Sequence, residues 1–192
     1  MTSVIEGLNV QDIVKADRII ATLAVEHPSN GGHPKASVVG SEFEGLMIDG
    51  VEIDPVLGKN VIPLQKKGGF PDRAIIEDDA FLARALRQGK KVTDAKGAPA
   101  WVIPRYGWVQ SKTARRRKGY VQCSLVDKLQ GAKLGSSFGH IVHVPDFGNI
   151  FLAELLTSHH GFRLTMIRLE MGCGVHGTVS GGTGDSNGSG SP

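Results

Sequence analysis

The stretch from Gly139 to Thr178 is the densest apolar part of the chain, and it constrains the fold more than any other segment. Residues 149–157 and 162–171 each have the length of a β-strand, and the loop between them, 158–161, ends in glycine. A short loop with a glycine, which accepts a positive φ, is typical of a β-hairpin. In the second segment the apolar residues change from one alternation parity to the other, which predicts a β-bulge near Met166.

Asp49-Gly50 predicts a second, tighter hairpin. An Asx-Gly pair is strongly preferred in the two-residue type I′ turn. With this turn, Ile48 faces Val51 and Leu46 faces Ile53, so one face of the hairpin is apolar and joins the core.

The rest of the chain predicts further strands and one helix. Residues 18–26 alternate between apolar and polar, as a half-buried strand does. One α-helix is predicted at about Glu77–Gln88, because acidic residues occupy its first turn, arginines lie near its end, and Gly89 follows as a stop. The predicted buried stripe of this helix is Phe81, Leu82, Ala85 and Leu86. Residues 100–110 and 119–129 have the length of two more strands.

The composition favours a turn-rich β protein. The 192 residues include 26 Gly and 9 Pro, and this length suits a single domain with its own core. We therefore predict an all-β fold, a single antiparallel β-sandwich of Greek-key type over residues 1–180, with one inserted α-helix near 77–88. Residues 181–192 are almost all small and polar, which predicts a flexible or partner-ordered Gly/Ser-rich tail.

Charge and hydropathy restrict the location and the partners. The net charge of +3 is too small to indicate nucleic-acid binding by itself. No apolar run reaches 18 residues, so no membrane-spanning helix is expected. The N-terminus lacks the pattern of a signal peptide, which makes the cytoplasm the default location, or the cell surface or extracellular space if a leader was removed. Cys123 and Cys173 form either one disulfide or two buried thiols.

A basic segment between the predicted strands 100–110 and 119–129 is a candidate binding site. As the tip of a β-ribbon it would contact the phosphates or carboxylates of a polyanion, with the flanking aromatic rings stacking on bases or packing under the arginines. The alternative is a solvated loop whose charges prevent edge-to-edge pairing with other chains. The residues concerned are Lys112, Arg115, Arg116, Arg117 and Lys118, with Trp108 and Tyr120 beside them.

Four residues form a candidate zinc site: His140, His143, Cys173 and His176. Their side chains are of the types that bind zinc. On a strand, however, positions i and i+3 point to opposite faces, so His140 and His143 reach one ion only if that segment turns. No catalytic motif is found elsewhere, and no cofactor is predicted.

Three segments carry a family resemblance: Val10–Asp17 (VQDIVKAD), Gly45–Gly50 (GLMIDG) and Phe162–Thr178. With these strand and turn patterns, the chain resembles the bacterial secreted "choice-of-anchor" β-sandwich proteins over about half its length. The resemblance implies a β-sandwich displayed at the cell surface, with no catalytic residues to carry over. The chain departs from that family in having no recognisable signal peptide or C-terminal anchor.

Three hypotheses for the function follow. The favoured one is a non-enzymatic structural protein that self-assembles into homo-oligomers or filaments through strand and tail contacts. The second is a module that binds nucleic acid or acidic glycan with the basic ribbon. The third is a metal-dependent hydrolase that uses the four candidate zinc ligands.

Overall fold

A computed structural model of the chain describes residues 1–29, 32–58, 61–62, 70–131, 137–172 and 177–187. The strands are β1 (Thr2–Val10), β2 (Val14–Thr22), β3 (Ala24–Glu26), β4 (Lys35–Ser37), β5 (Glu42–Glu44), β6 (Met47–Ile48), β7 (Val51–Leu57), β8 (Tyr120–Ser124), β9 (Val126–Gly131), β10 (Ser137–Phe138), β11 (Ile141–Val144), β12 (Gly148–Ser158), β13 (Gly161–Met171) and β14 (Gly177–Asn187). The α-helices are α1 (Asp79–Thr93), α2 (Val102–Tyr106) and α3 (Lys112–Lys118). Two 3-10 turns, Ile75–Glu77 and Gly107–Gln110, precede α1 and follow α2.

The strands form two antiparallel sheets packed face to face. The first sheet has the order β1-β2-β6-β7-β9, with β5 also paired to β2. The second has the order β10-β11-β12-β13-β14, with β8 also paired to β12, and β3-β4 form a small separate ribbon. Because β13 and β14 pack against β2, the main core lies between the two sheets. The predicted all-β, sandwich-like fold is confirmed.

Both predicted hairpins are present. β12 and β13 run antiparallel on either side of His159-His160, with Leu155 opposite Leu164. In the second hairpin, Asp49 and Gly50 both have positive φ, 52° and 72°, as a type I′ turn requires. The expected pairing of Ile48 with Val51 is observed, and the amide of Ile53 donates to the Leu46 carbonyl at 2.9 Å.

The expected change of parity in β13 is real, but no residue is inserted there. Leu164 and Leu169 both face the core although their positions differ in parity. The pairing of β12 with β13 nevertheless stays in step, from Leu152 opposite Ile167 to Glu154 opposite Thr165. The predicted β-bulge near Met166 is therefore wrong.

Left-handed residues in the neighbouring strands accompany this change of face. In the second sheet, Ala153 of β12 (φ 49°) and Gly182 of β14 (φ 61°) lie on either side of Met166. In the first sheet, Gly7 of β1 (φ 62°) and Gly45 between β5 and β6 (φ 59°) have the same conformation. A left-handed residue turns the chain so that the following side chains change face without a change in pairing.

Helix α1 confirms the predicted helical insertion and extends it. The side chain of Asp78 caps its N-terminus by accepting from the Phe81 amide at 2.8 Å, and Phe81 and Ala85 are buried as expected. The prediction that Gly89 ends the helix is wrong, because α1 continues to Thr93. A Cβ at Gly89 would lie 3.2 Å from Nε2 of Gln110, so this glycine allows α1 to approach the following turn closely.

Residues 100–118 do not form the predicted strand and β-ribbon tip. They form α2, a 3-10 turn and α3, so the insertion contains three helices instead of one. Ser111 caps α3 by accepting from the Ala114 amide at 3.2 Å, and Gly119 ends it with φ 69°. Pro104 is tolerated because it lies in the first turn of α2, where amides lack intrahelical partners. Within the described residues, no helix is long and apolar enough to cross a membrane.

The glycine-rich C-terminal segment also differs from the prediction. Residues 181–187 belong to β14 and pair with β13, so the sandwich extends beyond residue 180, while residues 188–192 lie outside the described part. A Cβ at Gly181 would lie 2.6 Å from Cδ1 of Ile5, and one at Gly184 would lie 3.3 Å from Cβ of Leu23. These glycines let β14 lie close to the first sheet.

Candidate functional site

Both sheets end at the same side of the sandwich, in β1 and β14. We call this side the open margin. Ile5 of β1 lies against Gly181 of β14, which places the two terminal strands next to each other. Among the residues that the structure describes, neither strand pairs with another strand on its outer side. The open margin therefore presents two rows of backbone amides and carbonyls.

The open margin has few of the features that prevent strands from adding to an edge. The sequence of β14, GTVSGGTGDSN, has no proline or lysine, and its one charged residue, Asp185, is paired with Arg163 at 2.6 Å. On β1, the apolar side chain of Val4 is 50% exposed. Long edges without lysine, proline or inward charges are templates for pairing with another chain. The left-handed residues Gly7 and Gly182 divide each edge into two shorter straight segments.

The opposite side of the sandwich is covered by α1. There the chain passes from β8 in the second sheet to β9 in the first, at Leu125. Gln88 of α1 donates to the carbonyls of Ser124 (2.8 Å) and Val126 (3.0 Å) and accepts from the Ser124 amide (2.8 Å). Arg84 of α1 donates to the Leu125 carbonyl at 3.3 Å. The insertion thus satisfies backbone groups on this side.

A charged network lies on the outer face of the second sheet, centred on Glu154. This buried carboxylate accepts hydrogen bonds from Tyr106 (2.8 Å), Gln122 (2.8 Å) and Arg168 (2.7 Å). Burial raises the pKa of Glu154, but His140, the Arg168 guanidinium and the Tyr106 hydroxyl outweigh it and lower the pKa to about 2. So acidic a carboxyl group is a weak base at neutral pH.

Glu170 extends the network to α2. Arg105 of α2 binds both of its carboxylate oxygens, at 2.6 and 2.5 Å, and Arg168 contacts it as well. The guanidinium groups of Arg168 and Arg105 lie 3.7 and 5.0 Å from the centre of the Phe151 ring. Burial raises the pKa of Glu170, but its bonds with the two arginines lower the pKa by more, so the net effect is a decrease. The network fastens α2 to β12 and β13, which is a structural role.

The two histidines of the candidate zinc site have separate environments. His140 is buried, its ring meets Tyr106 edge to face at 5.6 Å, and its Nε2 is 3.6 Å from Oε1 of Glu154. His143 Nδ1 lies 3.0 Å from Oδ1 of Asn149. Within the described ranges, no three His, Cys, Asp or Glu residues are grouped as metal ligands. The other two candidates, Cys173 and His176, lie outside those ranges.

The basic segment is helix α3, and only part of it is free. Lys118 Nζ lies 5.0 Å from the centre of the Trp108 ring and 5.5 Å from that of Tyr120, and these rings meet edge to face. Arg115 donates to the Val109 carbonyl. Three other cations are exposed and form neither an ion pair nor a cation–π contact with any described residue: Lys112, Arg116 and Arg117.

Several of these residues were not found from the sequence. Glu154 and Arg168 interrupt apolar strands, and a charge within an apolar strand indicates a charged partner across the sheet. The sequence therefore contained a signal for this charged network. For Gln88 the sequence contains no such signal, because its partners are backbone groups of a segment 36 residues away.

Comparison with known proteins identifies the family to which the chain belongs. Residues 1–158 match the family described as "Domain of unknown function (DUF8256)", and the chain belongs to it. The matched part runs from β1 to the end of β12 and includes the helical insertion. No curated protein and no solved structure matched the chain.

Proposed function

We propose that this protein is a non-enzymatic structural subunit that associates with copies of itself through the open margin. The observation that carries the proposal is the contrast between the two sides of the sandwich. One side has its backbone groups bound by Gln88 and Arg84, while the other ends in two strands whose outer sides pair with no other strand in the described part of the chain. Backbone groups at a sheet edge form hydrogen bonds with any extended strand of suitable length, and a second copy supplies two such strands.

The arrangement of the edges favours a particular symmetry. A two-fold axis perpendicular to the sheets would bring β1 against β1 of the second copy and β14 against β14. Both contacts would be antiparallel, and both sheets would continue across the interface. Such a contact uses the same surface on each copy and closes as a dimer, so longer filaments would need a second interface.

Light scattering after size-exclusion chromatography, at low and high salt, tests the proposal. We expect a mass near twice the 20.4 kDa of the chain, persisting at high salt because backbone pairing and apolar contacts are little screened. Val4→Lys should shift the protein to a monomer, since lysine on an edge strand opposes pairing. Val39→Lys is the matched control, because Val39 is 73% exposed in a loop outside both sheets. A monomer in every condition would refute the proposal.

A second candidate function is polyanion binding by α3, favoured by the three exposed cations that pair with no described residue. A fluorescently labelled single-stranded oligonucleotide is a suitable probe, and its binding should weaken steeply with added salt. The triple variant Lys112→Gln, Arg116→Gln, Arg117→Gln should abolish binding. The variant Lys90→Gln, Lys96→Gln removes two cations from another surface and should leave it unchanged. Equal loss in both variants would leave α3 without a specific role.

A further inference from the structure

A small cavity lies between α1 and the covered side of the sandwich. Its volume is about 120 Å³, and it is separate from the open margin and from α3. Four of its lining residues, Arg84, Arg87, Gln88 and Lys91, are spaced along one face of α1. Asp127 of β9 and His140 complete the polar part of the wall.

The wall of this cavity carries an excess of positive charge. Arg84 is paired with Asp127, its Nη2 lying 2.8 Å from Oδ1. Arg87 and Lys91 form no ion pair with any residue in the described part of the chain. Two cations therefore remain without a carboxylate, and the surplus favours an anion over a metal ion.

Arg84, one of the lining residues, also has a buried nitrogen without a partner. Nε of Arg84 is inaccessible to solvent and forms no hydrogen bond with any described residue. Burying an N–H group without a partner is costly, and a guanidinium hydrogen bonds well to planar and tetrahedral oxyanions. Gln88 keeps this part of α1 in place through its three bonds to β8 and β9.

We propose that this cavity binds a tetrahedral oxyanion, a phosphate that is either the free ion or the terminal group of a small phosphomonoester. The volume admits one such group but not a nucleotide or a polymer chain. Arg84 would hold it from the cavity wall, and Arg87 and Lys91 from the rim. The assignment is independent of the proposed assembly, since it involves neither β1 nor β14.

Titration with inorganic phosphate, followed by amide NMR and by calorimetry, tests the assignment. We expect a saturable response of the Gly139 amide that sodium chloride of the same ionic strength does not produce. The variant Arg87→Gln, Lys91→Gln should weaken binding by about a hundredfold, on the order of tenfold for each charge-assisted bond. The control Lys15→Gln, Lys35→Gln removes the same charge from β2 and β4, away from the cavity and from α3, and should bind normally.

Three results would overturn the assignment. The first is a response no larger than that to chloride, and the second is an equal weakening in both double variants. The third is saturable binding that leaves the Gly139 amide unchanged. Glycerol 2-phosphate distinguishes the two sources of the phosphate group. Tighter binding of inorganic phosphate would identify the free ion, and tighter binding of glycerol 2-phosphate would identify a phosphomonoester.

Discussion

Replacing the buried Glu154 by glutamine should remove a pH-dependent part of the stability. The pKa of Glu154 is about 2 in the folded protein, against an ordinary value of 4.5. Since the folded value is the lower one, this contribution is complete above about pH 5 and is lost as the pH falls towards 2. The difference in pKa corresponds to about 3 kcal/mol. Glutamine resembles the protonated acid in shape, so Glu154→Gln should cost about that amount at pH 7.

Urea denaturation monitored by tryptophan fluorescence, repeated from pH 7 to pH 3, measures this effect. The difference in unfolding free energy between wild type and Glu154→Gln should shrink from about 3 kcal/mol at pH 7 to about 1 kcal/mol at pH 3. Glu170, whose pKa is also lowered, remains in both proteins and therefore cancels in the comparison. Glu52→Gln, which removes an exposed carboxylate, is the control and should follow the wild type.

A constant difference across this pH range would refute the reasoning. It would mean that the variant is destabilised by changed packing and not by the loss of a titrating group. Equal stability of wild type and variant at pH 7 would show that the network contributes nothing to the fold.

Three further predictions concern backbone and side-chain contacts. A Cβ at Gly148 would lie 2.1 Å from a backbone carbonyl oxygen, so Gly148→Ala should lower the unfolding free energy measured in urea by about 2–4 kcal/mol. At Gly50 a Cβ meets no atom within 4 Å, so the control Gly50→Ala should lower it by only about 1 kcal/mol. Gln88→Ala should cost about 2–3 kcal/mol in the same assay, because three buried backbone groups lose their partner. Burial raises the pKa of Cys123 to about 12, so in a Cys173→Ser variant a thiol reagent should label Cys123 only as fast as the protein unfolds.

Where local chemistry decides the structure, the sequence predicted it. The Asp49-Gly50 turn has positive φ at both central residues, which few other pairs accept, so the hairpin and its pairing followed directly. Residues 100–110 were predicted wrongly because their β-branched and aromatic residues favour strands. Val102, Tyr106 and Val109 are nevertheless buried at helical spacing, so packing against the sandwich outweighs local preference.

The candidate site depends on contacts that are distant in sequence. Nothing in β1 or β14 alone indicates that the two strands end their sheets on the same side, since that follows from the order of strands. The glycines of β14 suggested disorder by composition, whereas Gly181 and Gly184 are needed for close approach to Ile5 and Leu23. The basic segment forms a helix and not the predicted ribbon tip, because Ser111 and Gly119 act as helix caps.

The left-handed residues within the two sheets restrict how the strands can align during folding. A regular strand that slips by two residues keeps every side chain on its correct face, so this misalignment costs little free energy. In this protein the faces exchange at Gly7 and Gly45 in one sheet and at Ala153 and Gly182 in the other. A two-residue slip would move side chains across the position where the faces exchange and so place polar groups in the core. It would also put a different residue at the left-handed position, which glycine adopts most easily. Each sheet thus admits a single alignment of its strands along their length.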